Sequence, residues 1–236
     1  MRDSLWPLPA LLLALALVFA FFADWPAADI AVSARFYDPA TGHWWAETGL
    51  PNLVRLAIWR LAEVTVLLSV VAIGAGLWRG RPTLGIATRV WAYVLALFVA
   101  GPGLLVETVL KPLWGRARPA QIEEFGGMLL FTPPYEIANQ CLKNCSFVAG
   151  EVAGATALAV AVLVLLQYRS PPVRPLLRAA GTILAPMLPL VTGAQRLAAG
   201  RHFLSDIVLS LLLVLLIALL LRPLLPPSSA ARGGTN

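Results

Sequence analysis

Residues Arg196–Asp206 read Arg-Leu-Ala-Ala-Gly-Arg-His-Phe-Leu-Ser-Asp and separate two apolar segments. His202, one of only two histidines in the chain, is followed four residues later by Asp206. On a helix these two side chains share one face, and the carboxylate can accept the Nδ1 proton and leave Nε2 as a nucleophile. With Arg196 as an anion ligand, the stretch suits attack on a phosphoryl group. The alternative is a His/Asp pair that only caps a helix at a membrane surface.

The composition around this stretch indicates an integral membrane protein. Of the 236 residues, 59% are hydrophobic and 13% are charged, whereas a soluble domain has about 25% charged residues. The net charge of +6 is typical of basic residues beside membrane segments. Because no basic run is interleaved with aromatic residues, we expect no nucleic-acid partner. With only two histidines and two cysteines, we expect no metal and no other cofactor.

Apolar runs of about 20 residues predict six transmembrane helices. They lie at about 5–23, 56–78, 90–110, 147–167, 179–194 and 203–221. The expected fold class is an all-α membrane bundle, forming one domain over residues 1–222, and the Pro-, Ser- and Gly-rich tail at 223–236 is expected to be disordered. Pro186 and Pro189 should kink the fifth span. The first run is a retained anchor, which its length favours, or a cleaved signal peptide.

The distribution of basic residues predicts the orientation. Six spans place both termini on one side, and that side has nine basic residues against five once three site candidates are set aside. The positive-inside tendency then predicts cytoplasmic termini in a bacterial inner membrane. The periplasmic side would hold the loops 24–54, 111–146 and 195–202.

Charged residues inside these spans form two pairs. Arg60 and Glu63 lie three residues apart in the second span, and Glu107 lies one turn before Lys111 in the third. Charges within a membrane segment usually pair, so we expect an intrahelical ion pair in each case.

Two further segments lie on the predicted outer side. Lys111 and Arg118 are seven residues apart, so on a helix they would share one face and could bind phosphate; the alternative is a cationic belt for lipid head groups. The fourth span begins near Gly150 and Glu151, where unpaired backbone N–H groups favour an anion. Glu151 could equally serve the helix dipole alone.

Cys141 and Cys145 lie close together in the outer loop between these two segments. Disulfides persist on the outer side of a bacterial membrane. A bridge between the two cysteines is possible if the loop turns tightly enough to bring their Cα atoms within about 7 Å.

Lys-x6-Arg-Pro, a glycine-containing helix start and Arg-x5-His-x3-Asp together resemble the type 2 phosphatidic acid phosphatase superfamily. The resemblance covers about residues 55–221 and implies a six-helix membrane fold with a metal-independent phosphatase site at the outer surface. His202 would attack phosphorus and Asp206 would orient it. The first and third motifs match at Lys111, Arg118, Pro119, Arg196, His202 and Asp206. The resemblance implies that Lys111, Arg118 and Arg196 would hold phosphate.

The middle motif departs from that family. Where the family has Pro-Ser-Gly-His, this chain has Val-Ala-Gly-Glu at 148–151. Ala149 therefore lacks the serine hydroxyl, although the backbone of Gly150 can still donate, and Gln195 stands where serine is common. Glu151 takes the place of the histidine that protonates the leaving oxygen, a role open to a glutamic acid that is protonated near neutral pH.

The expected function is hydrolysis of a lipid phosphate or lipid pyrophosphate through a phosphohistidine on His202. The membrane setting implies membrane lipids as partners and a lipid head group as substrate. A phosphotransferase with the same intermediate is the nearest alternative. The altered middle motif leaves room for a catalytically weak lipid-phosphate binding or transport protein.

Overall fold

The computed structural model describes residues 7–227 and has six helical segments long and apolar enough to cross a membrane. These segments are Pro7–Asp24, Leu50–Arg79, Thr88–Gln121, Gly150–Tyr168, Pro175–Ala198 and Leu204–Leu224. The predicted all-α bundle of six spans is thereby confirmed. The start of the first predicted span at residue 5, and residues 228–236 of the predicted tail, lie outside the described residues.

Two of the spans consist of more than one helical segment, and both of these spans contain proline. The third span joins α4 (Thr88–Phe98), a π-helix (Val99–Leu110) and α5 (Lys111–Trp114). The fifth is broken at Ala185 and Pro186, close to the predicted kink. The remaining helices are α1 (Pro7–Asp24), α2 (Ala27–Ser33), α3 (Leu50–Arg79), α6 (Gly150–Tyr168), α7 (Pro175–Leu184), α8 (Met187–Ala198) and α9 (Leu204–Leu220).

Helix α6 forms the centre of the bundle and packs against α3, α4, α8 and α9. Small side chains let membrane helices approach closely, and most of the buried residues in α6 are small: Gly150, Ala153, Gly154, Ala155, Ala157, Ala159 and Ala161. At Gly154 the ring of Trp59 from α3 fills the space that a side chain would take. The first turn of α6 is therefore surrounded by the ends of the other spans.

A small aromatic cluster covers the end of the bundle that carries the sequence motifs. The hairpin of β1 (Tyr37–Asp38) and β2 (His43–Trp44) contributes Trp44, which packs with Phe125 and Phe203. Gly200 adopts a left-handed φ of +64° directly against the Trp44 ring, a position where any Cβ would collide with the indole. The cluster thus fixes the loop that contains His202.

Two details of the predicted helices differ from the structure. Helix α3 begins at Leu50, six residues before the predicted start, so Arg55 lies on a helix. Lys111 and Arg118 do not share a helical face, because α5 ends at Trp114 and Gly115 turns the chain with a φ of +57°. Both expected ion pairs are confirmed, Arg60–Glu63 at 2.6 Å and Lys111–Glu107 at 2.5 Å.

Candidate active site

The structure brings the predicted site residues of the three motif segments around His202. Lys111, Arg118 and Arg196 are the three cations whose charge lowers the pKa of this histidine. A Cβ at Gly150 would lie 2.8 Å from Nζ of Lys111, so the start of α6 adjoins that cation. All three cations are therefore close enough to His202 for their charges to act on it, although Lys111 and Arg118 are joined by a turn rather than by one helix.

His202 is buried and fixed through one ring nitrogen. Its Nδ1 lies 2.8 Å from the backbone oxygen of Ser146, so the tautomer that satisfies this carbonyl has its proton on Nδ1. Nε2 has no hydrogen-bond partner within residues 7–227. Burial, followed by the charges of Arg118 and Lys111, holds the pKa of His202 well below 6.5. A neutral imidazole with an unoccupied Nε2 is the form that can act as a nucleophile.

Asp206 does not orient His202 by the direct contact that the spacing predicts. Its Oδ2 lies 3.9 Å from Nδ1. The same oxygen instead accepts hydrogen bonds from Oγ of Ser146 at 2.6 Å and from the backbone N–H of Phe203 at 2.9 Å. Since α9 begins at Leu204, His202 precedes the helix and its ring turns to the Ser146 carbonyl. Asp206 therefore acts on the imidazole through Ser146.

Sequence reasoning missed Arg116, which is fully buried beside the site. Its guanidinium pairs with Asp206 at 2.7 Å and with Asp29 of α2 at 2.9 Å. It also donates to Oγ of Ser205 and lies 4.3 Å over the ring of Phe203. A buried charge needs partners, and the only sequence signal was a third cation within two residues of Arg118.

Asp29 connects the first outer loop to the start of α9. It accepts hydrogen bonds from the backbone N–H and Oγ of Ser205, 176 residues along the chain. Burial raises the pKa of Asp29, against the lowering effect of Arg116. Two carboxylates thus share one buried guanidinium directly behind the imidazole.

Arg118 lies at the open side of the site with unused hydrogen-bonding capacity. Its Nη2 donates to Oδ1 of Asn144 at 2.8 Å. Its Nε is buried and has no partner within the described part of the chain. A guanidinium with free N–H groups beside a nucleophile is suited to bind phosphate oxygens.

Cys141 and Cys145 are bridged in the structure, with their Cα atoms 5.5 Å apart. The bridge closes the short loop that carries Asn144, whose backbone has a left-handed φ of +56°. Because Asn144 is the hydrogen-bond partner of Arg118, the disulfide loop holds this cation.

Glu151 is fully engaged in ion pairs. Its carboxylate accepts from Nη1 of Arg55 at 2.9 and 3.0 Å and from Nη1 of Arg196 at 3.1 Å. Arg55 was expected in a loop and was not predicted as a site residue. To donate a proton, the Glu151 carboxyl would first have to move away from the guanidinium groups of Arg55 and Arg196. These contacts therefore favour a role for Glu151 in positioning Arg196 over the expected role as an acid.

Within residues 7–227, no three His, Cys, Asp or Glu side chains are grouped so that they could hold a metal ion. The chemistry that the described residues offer is that of a neutral imidazole, three anion-binding cations and backbone donors at a helix start. This set suits transfer of a phosphoryl group to nitrogen.

Comparison with known proteins identifies relatives of this chain. Over 123 and 122 residues the chain is 40% and 43% identical to proteins named lipid A 4'-phosphatase from Rhizobium leguminosarum and Rhizobium etli. Each match covers 50% of this chain but only 47% and 43% of those proteins, so the chain matches less than half of their length. A Francisella tularensis subsp. novicida protein of the same name is 29% identical over 80% of this chain and 82% of its own.

The fold also has a counterpart among solved structures. The PAP2-type phosphatidylglycerolphosphate phosphatase of Bacillus subtilis superposes with a TM-score of 0.55, covering 91% of this chain and 93% of its own, at 22% identity. Residues 89–228, which include all three motif segments, match the sequence profile of the PAP2 superfamily. The protein is therefore a transmembrane member of the PAP2 superfamily.

Proposed function

We propose that this protein is a lipid phosphatase that removes a phosphate or pyrophosphate group at the periplasmic face through a phosphohistidine on His202. The observation that carries the proposal is the state of His202. Its Nδ1 is fixed by the Ser146 carbonyl, its Nε2 is unoccupied, and three cations surround it. The relatives named lipid A 4'-phosphatase support a phosphorylated glycolipid as the substrate class.

Phosphate binding would use the groups that have spare donors. Lys111, Arg118 and Arg196 would neutralise the phosphoryl oxygens, and the backbone N–H groups at the start of α6 beside Gly150 would donate to one of them. Arg55 and Glu151 would hold Arg196 in place through their shared ion pairs. The cations stabilise the transition state because they are in position before charge develops on the oxygens.

The reaction would then proceed in two displacements. Nε2 of His202 forms a bond to phosphorus while the bond to the lipid oxygen breaks, and that oxygen takes a proton from a general acid as the lipid leaves. Water then attacks phosphorus, returns a proton to the general acid and displaces the nitrogen, which regenerates neutral His202 and releases phosphate. The carboxylate of Asp206 accepts a hydrogen bond from Ser146, and its Oδ2 lies 3.9 Å from Nδ1 of His202. Its negative charge stabilises the positive charge that the imidazole gains. No step requires a metal ion.

The test is turnover of a panel of lipid phosphates by the wild-type protein and by His202→Ala. Wild-type protein incubated with ³²P-labelled substrate should give an acid-labile, alkali-stable phosphoprotein, and His202→Ala should give neither turnover nor label. Arg35→Ala, a change in the first outer loop, is the matched control and should keep both. Full activity in His202→Ala, or loss of activity on chelation, would contradict the proposal.

A further inference from the structure

A phosphate ester with an alcohol leaving group needs a proton donor, and Glu151 is poorly placed to be one. An alkoxide is a poor leaving group, so a general acid typically contributes about 10²–10⁴-fold to such a reaction. Three hydrogen bonds from Arg55 and Arg196 engage the Glu151 carboxylate. Phosphate binding to Arg196 would still leave Glu151 its two hydrogen bonds from Arg55.

Glu107 is a second carboxylate at the same site. Its Oε1 lies 2.5 Å from Nζ of Lys111 and against Gly150, where an added Cβ would overlap the carboxylate. The side chain is 49% exposed, whereas that of Lys111 is 9% exposed. Glu107 therefore lies beside a predicted phosphate ligand and the start of α6, with about half of its side chain accessible.

Substrate binding would take Lys111 away from Glu107, whereas Glu151 would keep Arg55. Within residues 7–227, Lys111 is the only hydrogen-bond donor to the Glu107 carboxylate. When Lys111 turns to a phosphate oxygen, Glu107 loses that partner and gains a neighbouring anion. Like charges this close repel each other, and the repulsion is relieved when the carboxylate takes up a proton.

We propose that Glu107, rather than Glu151, is the proton donor to the leaving oxygen; this inference rests on the proposed phosphatase function. As the N–P bond to His202 forms and the P–O bond to the lipid breaks, the carboxylic acid of Glu107 gives its proton to that oxygen and the lipid leaves as an alcohol. The carboxylate then takes a proton from the attacking water as the P–N bond breaks. Phosphate is released, and Glu107 is again protonated and His202 neutral.

Leaving-group dependence tests this role in the full-length protein in detergent. Hexyl phosphate needs acid assistance, whereas 4-nitrophenyl phosphate leaves readily without it. In Glu107→Gln, kcat/KM for hexyl phosphate should fall about 10²-fold or more and that for 4-nitrophenyl phosphate less than about tenfold. Glu151→Gln should slow both esters by the same factor, as expected for a residue that positions Arg196.

The controls separate the acid role from folding and from the phosphatase proposal. Glu136→Gln, an exposed change in the outer loop 111–146, should match the wild type on both esters. Glu107→Asp should retain part of the hexyl phosphate activity that Glu107→Gln loses. Equal slowing of both esters by Glu107→Gln, or a leaving-group effect in Glu151→Gln instead, would overturn the assignment. 4-Nitrophenyl phosphate should still label His202 in Glu107→Gln. A wild-type protein that carries no label on His202 would overturn the phosphatase proposal itself.

Discussion

In the proposed mechanism, His202 must be neutral to attack phosphorus and must then carry positive charge, and its surroundings act on these two states differently. Burial and the adjacent cations keep the resting imidazole neutral. Bound phosphate would offset the charges of Lys111, Arg118 and Arg196, so that the cationic intermediate is less disfavoured than the cationic resting state. The nucleophile is thus held in its reactive form without a directly bonded carboxylate.

The first prediction concerns this protonation state. Because the pKa of folded His202 is held well below 6.5, the ring should stay neutral as the pH falls through about 6.5, where a free histidine titrates. Replacing His43 by glutamine leaves His202 as the only histidine, so its ¹⁵N resonances can be followed alone. A midpoint near 6.5 in the folded protein would contradict the burial seen here.

The second prediction compares Asp206 with Ser146. In Asp206→Asn, one carboxylate oxygen becomes an NH2 group. That group must face either the Arg116 guanidinium or the backbone N–H of Phe203. Either arrangement leaves a buried donor unpaired, at a cost of about 1–3 kcal/mol. Both thermal stability and kcat should therefore fall. Ser146→Ala keeps the carbonyl that accepts from Nδ1, so its kcat should stay within about tenfold of wild type. Equal loss in the two variants would contradict this prediction and would show that the Ser146 hydroxyl matters as much as Asp206.

Among the helices and loops, the turn before His202 is tightly constrained. Gly200 combines a left-handed φ of +64° with direct contact to Trp44. Gly80 has a similar φ of +63° at the end of α3, but has open space around it. The two glycines therefore separate backbone strain from collision with a neighbour.

The third prediction uses this pair. Both Gly200→Ala and Gly80→Ala should lose about 1–2 kcal/mol of stability from the left-handed backbone. Only Gly200→Ala should also displace the loop of His202, and a shift of about 1 Å can reduce kcat about 10²-fold. Thermal unfolding and turnover of both variants check this. A Gly80→Ala protein with the same loss of activity would show that the effect is not local to the turn.

The helices and the site differ in how far the sequence predicted them. Six spans follow from local hydropathy, and Lys111, Arg118, Arg196 and His202 follow from motif spacing. Arg55 was missed because apolar content alone places the start of α3 too late. Arg116, Asp29 and Glu107 carry no motif, and their contacts include residues 43 to 176 positions away, which no local pattern encodes.

For the whole molecule, the fourth prediction is its orientation. The site and the disulfide loop should face the periplasm, and the turn between α6 and α7 the cytoplasm. Glu136→Cys should react with a membrane-impermeant maleimide in spheroplasts, whereas Ser170→Cys should react only after lysis. The native cysteines are bridged and should not interfere. The reverse pattern would place the site in the cytoplasm and exclude a periplasmic substrate.

The contacts of the Arg116 guanidinium also limit when its surroundings can be completed during synthesis. Asp29 leaves the ribosome first, Arg116 follows 87 residues later, and Ser205 and Asp206 come last. The early carboxylate cannot complete its set of partners until the sixth span has been inserted. Contacts this distant in sequence form late, because the intervening chain must first be ordered. A nascent chain with five spans would therefore lack both the proposed nucleophile and the Ser205 partner of Asp29. We expect the proposed site to be completed only after the sixth span is inserted.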